Sequence, residues 1–119
     1  MDDEAVFLVT ELWVVPNTFS QLKEYRKKVN DILEIYEPEY VFHNHAFEWV
    51  SGGEGESYPT GIEVIKFKNE VRVREAIAAL DNAALKSEQS RVFSRVRCYL
   101  SRYAFPDELA KEIYNQARN

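Results

Sequence analysis

Residues Ala5 to Val15 read AVFLVTELWVV and end at Pro16. β-Branched and aromatic residues dominate the run, and a proline stops it, which is the signature of a strand. Thr10 and Glu11 make it too polar to sit in a membrane. Successive strand side chains point to opposite faces, so Phe7, Val9, Glu11 and Trp13 share one side while Val6, Leu8, Thr10, Leu12 and Val14 share the other. Both sides are largely apolar. Such a strand belongs in the interior of a sheet, and each face of that sheet has to be covered.

Downstream, Thr18-Phe19-Ser20-Gln21 has the spacing of a capping box. Behind it Phe19, Leu22, Tyr25, Val29, Ile32, Leu33 and Tyr36 recur every three or four residues, opposite Lys23, Glu24, Lys27, Lys28, Asp31 and Glu34. This pattern predicts an amphipathic helix that Pro38 ends, with Glu24 and Lys28 as an i,i+4 pair worth about 0.3 kcal/mol. Tyr40 to Val50 is extended and aromatic. The loop SGGEGESYPT over residues 51–60 holds three of the four glycines, and Gly61 to Phe67, GIEVIKF, is apolar enough for a strand near the sheet centre.

Asn69 can cap a second helix lined by Val73, Ile77 and Leu80. Asp81-Asn82 kinks or restarts it before Leu85, Val92, Phe93 and Val96, so helix is expected to about Val96. Arg97 to Phe105, RCYLSRYAF, reads as the fourth strand, and Pro106 opens a last helix with Leu109, Ile113 and Ala117. The order β-α-β-β-α-β predicts an α+β, ferredoxin-like fold: one four-stranded antiparallel sheet, both main helices on one face, and an extra C-terminal helix. One domain spans residues 1–119, with its core over about 5–105 and the last helix over about 106–118. A second copy of the chain is the simplest cover for the other face, and two such sheets would bury roughly 2,000 Å² or more.

Composition narrows the function. The 119 residues are 45% hydrophobic and 29% charged, as in globular proteins. Twenty acidic against 15 basic residues leave a net charge of -5, and the only basic groupings are Arg26-Lys27-Lys28 and scattered arginines from Arg91 to Arg102. Nucleic acid is therefore not an expected partner. Cys98 is the single cysteine, which excludes an intrachain disulfide and fits a reducing compartment. The start Met1-Asp2-Asp3-Glu4 is acidic where a leader would be basic, and no apolar run approaches the ~20 residues of a membrane span. A cytoplasmic protein without a membrane partner is expected.

Over about residues 5 to 105 the chain resembles the dimeric α/β-barrel superfamily, which includes antibiotic-biosynthesis monooxygenases and a short family of unknown function. The resemblance rests on the strand Val6–Val15 and on the helix pattern F-x-x-L-x-x-Y-x-x-x-V. It extends to Val64-Ile65-Lys66-Phe67 after the Tyr-Pro turn and to the segment Leu85–Arg91. It implies a homodimer with a cavity between sheet and helices in each protomer, used across the superfamily for aromatic polyketides, haem, lactones or amino-acid effectors. In the cofactor-free monooxygenases of that superfamily a bound phenol-type substrate is deprotonated and its own carbanion reduces oxygen. The expected function is thus the binding of a hydrophobic or aromatic small molecule, as a cofactor-independent monooxygenase or isomerase. The alternative is a non-enzymatic ligand-binding or assembly module.

The residues that could carry such chemistry are few. His43 and His45, two apart on a strand, share a face with Phe47 and Trp49, and either imidazole could be a general base. A sheet edge with histidines packed beside aromatics is the plainer reading, and no third metal ligand is identified, so neither a metal nor a cofactor is expected. Glu63 joins the histidines or faces away from them according to the register of the second and third strands. Glu11, a carboxylate in an apolar strand, is either a cavity acid or base or one half of an ion pair with Arg97 or Arg102. Trp13, Trp49 and Tyr99, with Tyr103, could wall a flat ligand or fill a dimer core. Haem-degrading relatives use a helix-borne histidine, which this chain lacks. Cys98 reads as a small apolar filler, and Gly52, Gly53 and Gly55 as a hairpin loop rather than a phosphate cradle.

Overall fold

The first strand forms where its sequence requires. In the computed structural model, β1 (Val6–Val14) is followed by α1 (Phe19–Leu33), a single 3-10 turn at Glu34–Tyr36, β2 (Glu39–His45) and β3 (Gly61–Phe67). Then come α2 (Glu70–Leu80), α3 (Ala83–Val92) and β4 (Phe93–Ser101). The structure describes residues 4–45, 50–53, 55–102, 111–113 and 115–116, except for the side chain of His45. The strands make one antiparallel sheet in the order β2-β3-β1-β4. This is the ferredoxin-like arrangement, with β1 and β3 inside.

The helices lie against the face formed by Val6, Leu8 and Leu12 of β1 and Ile65 and Phe67 of β3. Leu33, Phe67 and Val73 are fully buried there, and Tyr25 meets Phe93 edge to face with ring centroids 5.6 Å apart. An ion pair from Lys28 to Glu88 joins α1 to α3. No described helix is long and apolar enough to cross a membrane.

Local departures from the sequence reading have local causes. Thr18 precedes α1, yet its hydroxyl donates to the Val15 carbonyl at 2.7 Å instead of capping the helix. Asn69 and Asn82 do cap: their side-chain oxygens accept from the Arg72 and Leu85 amides at 2.9 and 2.8 Å. With extended backbone at Asn82, the helix restarts there and does not merely kink. It also ends at Val92, short of Val96, because Phe93 to Ser101 pairs with β1. The spacing of Val92, Phe93 and Val96 suits either period, and the sheet ladder prevails. Within that ladder, Val96 lies opposite Leu12 and a register shift between Trp13 and Val14 brings Phe93 opposite Val14. Residues 46–49, expected to extend β2, and most of the expected last helix lie outside the described residues, although 111–113 and 115–116 are helical.

Asn82 sets the break between α2 and α3, so Asn82→Ala is expected to cost about 1 kcal/mol in urea denaturation. An unchanged midpoint would show that α3 starts without the cap.

Candidate functional site

The sheet ladders sort the polar residues of the sheet into two sets. Thr10 pairs with Glu63 and with Cys98, and Glu63 pairs with His43, so these four residues share the helix-covered face. Glu11 pairs with Arg97, Val9 with Tyr99 and Trp13 with Arg95, and these lie on the opposite, open face. A one-residue step in sequence separates Thr10 from Glu11, and a sheet's thickness separates what they touch.

On the covered face, a cavity of about 120 Å³ lies between the sheet and α1. Its walls are mostly apolar, from Leu8, Leu12, Val29, Ile65, Phe93 and Val96. Its polar lining is Arg26 and Glu63 together with Thr10, Tyr25, Gln89 and Cys98. Beside it a groove of about 380 Å³ opens at the corner between α2 and α3. Cavity and groove share Tyr25, Leu80, Gln89 and Cys98, so the groove leads from Asp81 and Lys86 at the surface towards the interior.

Glu63 is 5% exposed, and an ion pair to the Arg26 guanidinium of α1 compensates its burial. Arg26 follows Leu22 by four residues and precedes Val29 by three, so helical geometry turns it inward with them. Tyr25 holds its proton above the usual phenol range, mainly through burial and further through Glu63 and Glu88, although Arg26 pulls the other way. Tyr40 is raised for the same leading reason, and its hydroxyl donates to Asn30 Oδ1 at 2.7 Å. Desolvation also pushes the Cys98 thiol up, with Glu63 adding to it, while a contact with Thr10 Oγ1 at 3.4 Å partly offsets the rise. At neutral pH the cavity therefore presents neutral hydroxyl and thiol groups beside one internally paired charge couple.

On the open face Glu11 is also buried, at 6% exposure, and Arg97 lies 2.8 Å from it. The Trp13 indole donates to the Ser57 carbonyl at 3.3 Å, and the Arg95 guanidinium stacks 4.6 Å from the ring centroid. The Thr60 hydroxyl accepts from the Val14 amide at 2.9 Å, which straps the 51–60 loop across this end of the sheet. The apolar patch on the face is narrower than the alternation of β1 suggests, because β4 contributes Arg95 and Arg97 beside the half-exposed Tyr99.

The residues singled out from sequence therefore divide. His43 and Glu63 come together as cross-strand partners. His45 pairs with Gly61 in the ladder, and a Cβ built on Gly61 would sit 3.4 Å from His43 Nε2, so glycine leaves room for that imidazole. Glu11, Trp13 and Tyr99 are on the other side and do not meet His43. Arg102 is remote from both groups, held by Glu70 at 2.7 Å beside the start of α2. The expectations for Trp49, Tyr103 and the side chain of His45 fall outside the described residues. Among the described residues no cluster of three or more histidines, cysteines or carboxylates could hold a metal. Sequence reading missed Arg26 and Gln89 as site residues. Both occupy inward positions on amphipathic helices, Gln89 four after Leu85 and three before Val92, and a polar residue at such a position was the available signal.

No family model matches the chain, and no curated protein matches it at a significant level. Solved structures do match it. A protein of unknown function from Rhodopseudomonas palustris superposes with a TM-score of 0.65 at 7% identity, over 87% of this chain and 85% of that one. A proposed monooxygenase from Shewanella loihica gives 0.56 at 15% identity, over 89% and 99%. SnoaB, a cofactor-independent oxygenase from Streptomyces nogalater, gives 0.56 at 11% identity, over 87% and 99%. The chain has their fold. At these identities the likeness extends to architecture and not to residues, and it agrees with the resemblance to monooxygenase-like ferredoxin folds drawn from the sequence.

Two measurements probe the cavity's polar lining. Arg26→Met leaves the buried Glu63 carboxylate without its partner and is expected to cost about 3 kcal/mol of stability. Glu63→Gln leaves a guanidinium whose side chain is already 26% exposed and so partly hydrated, for a loss of about 1 kcal/mol. The reverse order would contradict the burial asymmetry. Cys98, raised in pKa, should react with iodoacetamide at pH 8 more slowly than a free thiol and should catch up only as pH climbs further; a faster reaction would contradict the desolvated setting.

Proposed function

We propose that the protein binds a hydrophobic or aromatic small molecule between its sheet and helices and performs proton-transfer chemistry there, as a cofactor-independent monooxygenase or isomerase would. The supporting observation is the groove that meets, through Tyr25 and Cys98, a cavity bounded by the Arg26–Glu63 pair. An engineered apolar cavity of about 150 Å³ admits benzene. An interior of about 120 Å³ therefore suits one aromatic ring, the rest of the ligand lying in the groove. In this reading Glu63 accepts a proton from an acidic C–H or O–H group and Arg26 faces the anion that results. His43, the strand partner of Glu63 and exposed at the sheet edge, exchanges that proton with water. Glu11, Trp13 and Tyr99 belong instead to the surface where a second copy of the chain docks. There Phe7, Val9, Phe42 and Ile62 form an apolar centre with Arg95, Arg97 and Lys66 around it, the anatomy of a protein interface.

The fold neighbours support this reading in one respect: SnoaB combines the same architecture with oxygenation that needs no cofactor. A non-enzymatic module is favoured by one observation, that the Glu63 carboxylate is already engaged by Arg26.

Titration of ¹⁵N-labelled protein with 4-ethylphenol separates these ideas. Saturable shifts at Tyr25, Gln89 and Cys98 that vanish in Val96→Trp are expected. Shifts confined to the open sheet face, or none, would contradict the site. With hydroquinones as substrates, dioxygen uptake that disappears in Glu63→Gln would favour the enzyme, and saturable binding without uptake would favour the module.

A further inference from the structure

Four charged side chains line the groove and cavity together, Asp81 and Lys86 at the surface and Arg26 and Glu63 inside. They form two couples. Lys86 Nζ lies 2.6 Å from Asp81 Oδ1, and Arg26 pairs with Glu63. The remaining polar lining, Thr10, Tyr25, Gln89 and Cys98, is uncharged, and both Tyr25 and Cys98 resist ionisation. From mouth to end, the site has no net charge.

We infer that the site selects neutral ligands and rejects carboxylates: it takes a single-ring aromatic compound whose polar group both donates and accepts hydrogen bonds, such as an amide, hydroxyl or enol. This rests on the ligand-binding reading above and adds to it the charge class of the ligand. The reason is local electrostatics. A ligand carboxylate moved into the cavity would lose its hydration and meet Glu63 at least as closely as Arg26, so it could gain the guanidinium only by displacing a partner already in place. A neutral head that donates to the Glu63 carboxylate and accepts from a further N–H of Arg26 leaves that pair intact and uses donors a single carboxylate does not exhaust. At the mouth the same reasoning applies to Lys86, whose charge Asp81 already answers.

Benzamide and benzoate have nearly the same shape and differ in charge, and they serve as probes. Dissociation constants come from amide shifts of the ¹⁵N-labelled protein at pH 7 and fixed ionic strength. Benzamide is expected to bind at least about tenfold more tightly, a low floor for the cost of burying an uncompensated charge. Benzoate binding equally well or better would overturn the inference while leaving the cavity as a ligand site. Binding of neither compound would remove the ligand-binding reading and this one with it. Two variants test the cause. Glu63→Gln leaves Arg26 uncoupled and should raise benzoate affinity about tenfold. Asp81→Asn, at an exposed position that keeps the variant folded, uncouples Lys86 and should raise it severalfold. If neither variant improves benzoate binding, charge pairing does not set the selectivity.

Discussion

The placement of every polar group in the sheet depends on the alternation of β1. This strand lies between β3 and β4, so its side chains fix which residues of both neighbours face the helices. Because Leu8 and Leu12 must be buried against α1, Thr10 between them faces the same way, and the ladders carry Glu63, Cys98 and His43 along with it. The same constraint sends Glu11, Arg97, Trp13 and Tyr99 to the opposite side. A slip of one residue would exchange the two sets and strand the hydrophobic core in water, so the division is enforced by the full energy of burial.

Each face resolves a buried carboxylate in the same way, with an arginine from a neighbouring element, but the surroundings differ. Arg97 reaches Glu11 from the adjacent strand at the sheet surface, in the manner of a cross-strand pair. Arg26 reaches Glu63 from a helix, across the space that becomes the cavity. Among the described residues, the second pair lies beside mostly apolar walls and an adjoining groove. In the proposed reading, that asymmetry assigns the small ligand to one face and a second copy of the chain to the other, where β4 contributes Arg95 and Arg97.

Much of the fold could be read from the sequence because periodicity and punctuation agreed. The first strand, the helix at Phe19–Leu33, the strand GIEVIKF, the cap at Asn69 and an interruption at Asp81-Asn82 all follow from local physics. The boundary between α3 and β4 did not, since Val92, Phe93 and Val96 satisfy helical and sheet spacing alike and only pairing with β1 decides. The candidate site was less legible. Which face Glu63 shares with His43 depends on a register across a long loop and on an irregularity between Tyr40 and Phe42, neither of which alternation can supply. Arg26 and Gln89 needed helix positions to be read as inward-facing despite their polarity. Glu11 drew notice as a carboxylate in an apolar strand, and the partner that explains it is Arg97.

The central claim is that a ring-sized space with mostly apolar walls exists between the sheet and α1, on the side of Thr10 rather than of Glu11. Xenon-pressurised crystals test it most directly, because xenon enters apolar cavities of this size and is located by its anomalous scattering. A xenon atom bounded by Leu12, Val29 and Phe93 is the predicted result. Crystals with no xenon there, or with xenon only against the face that bears Glu11 and Trp13, would contradict the account.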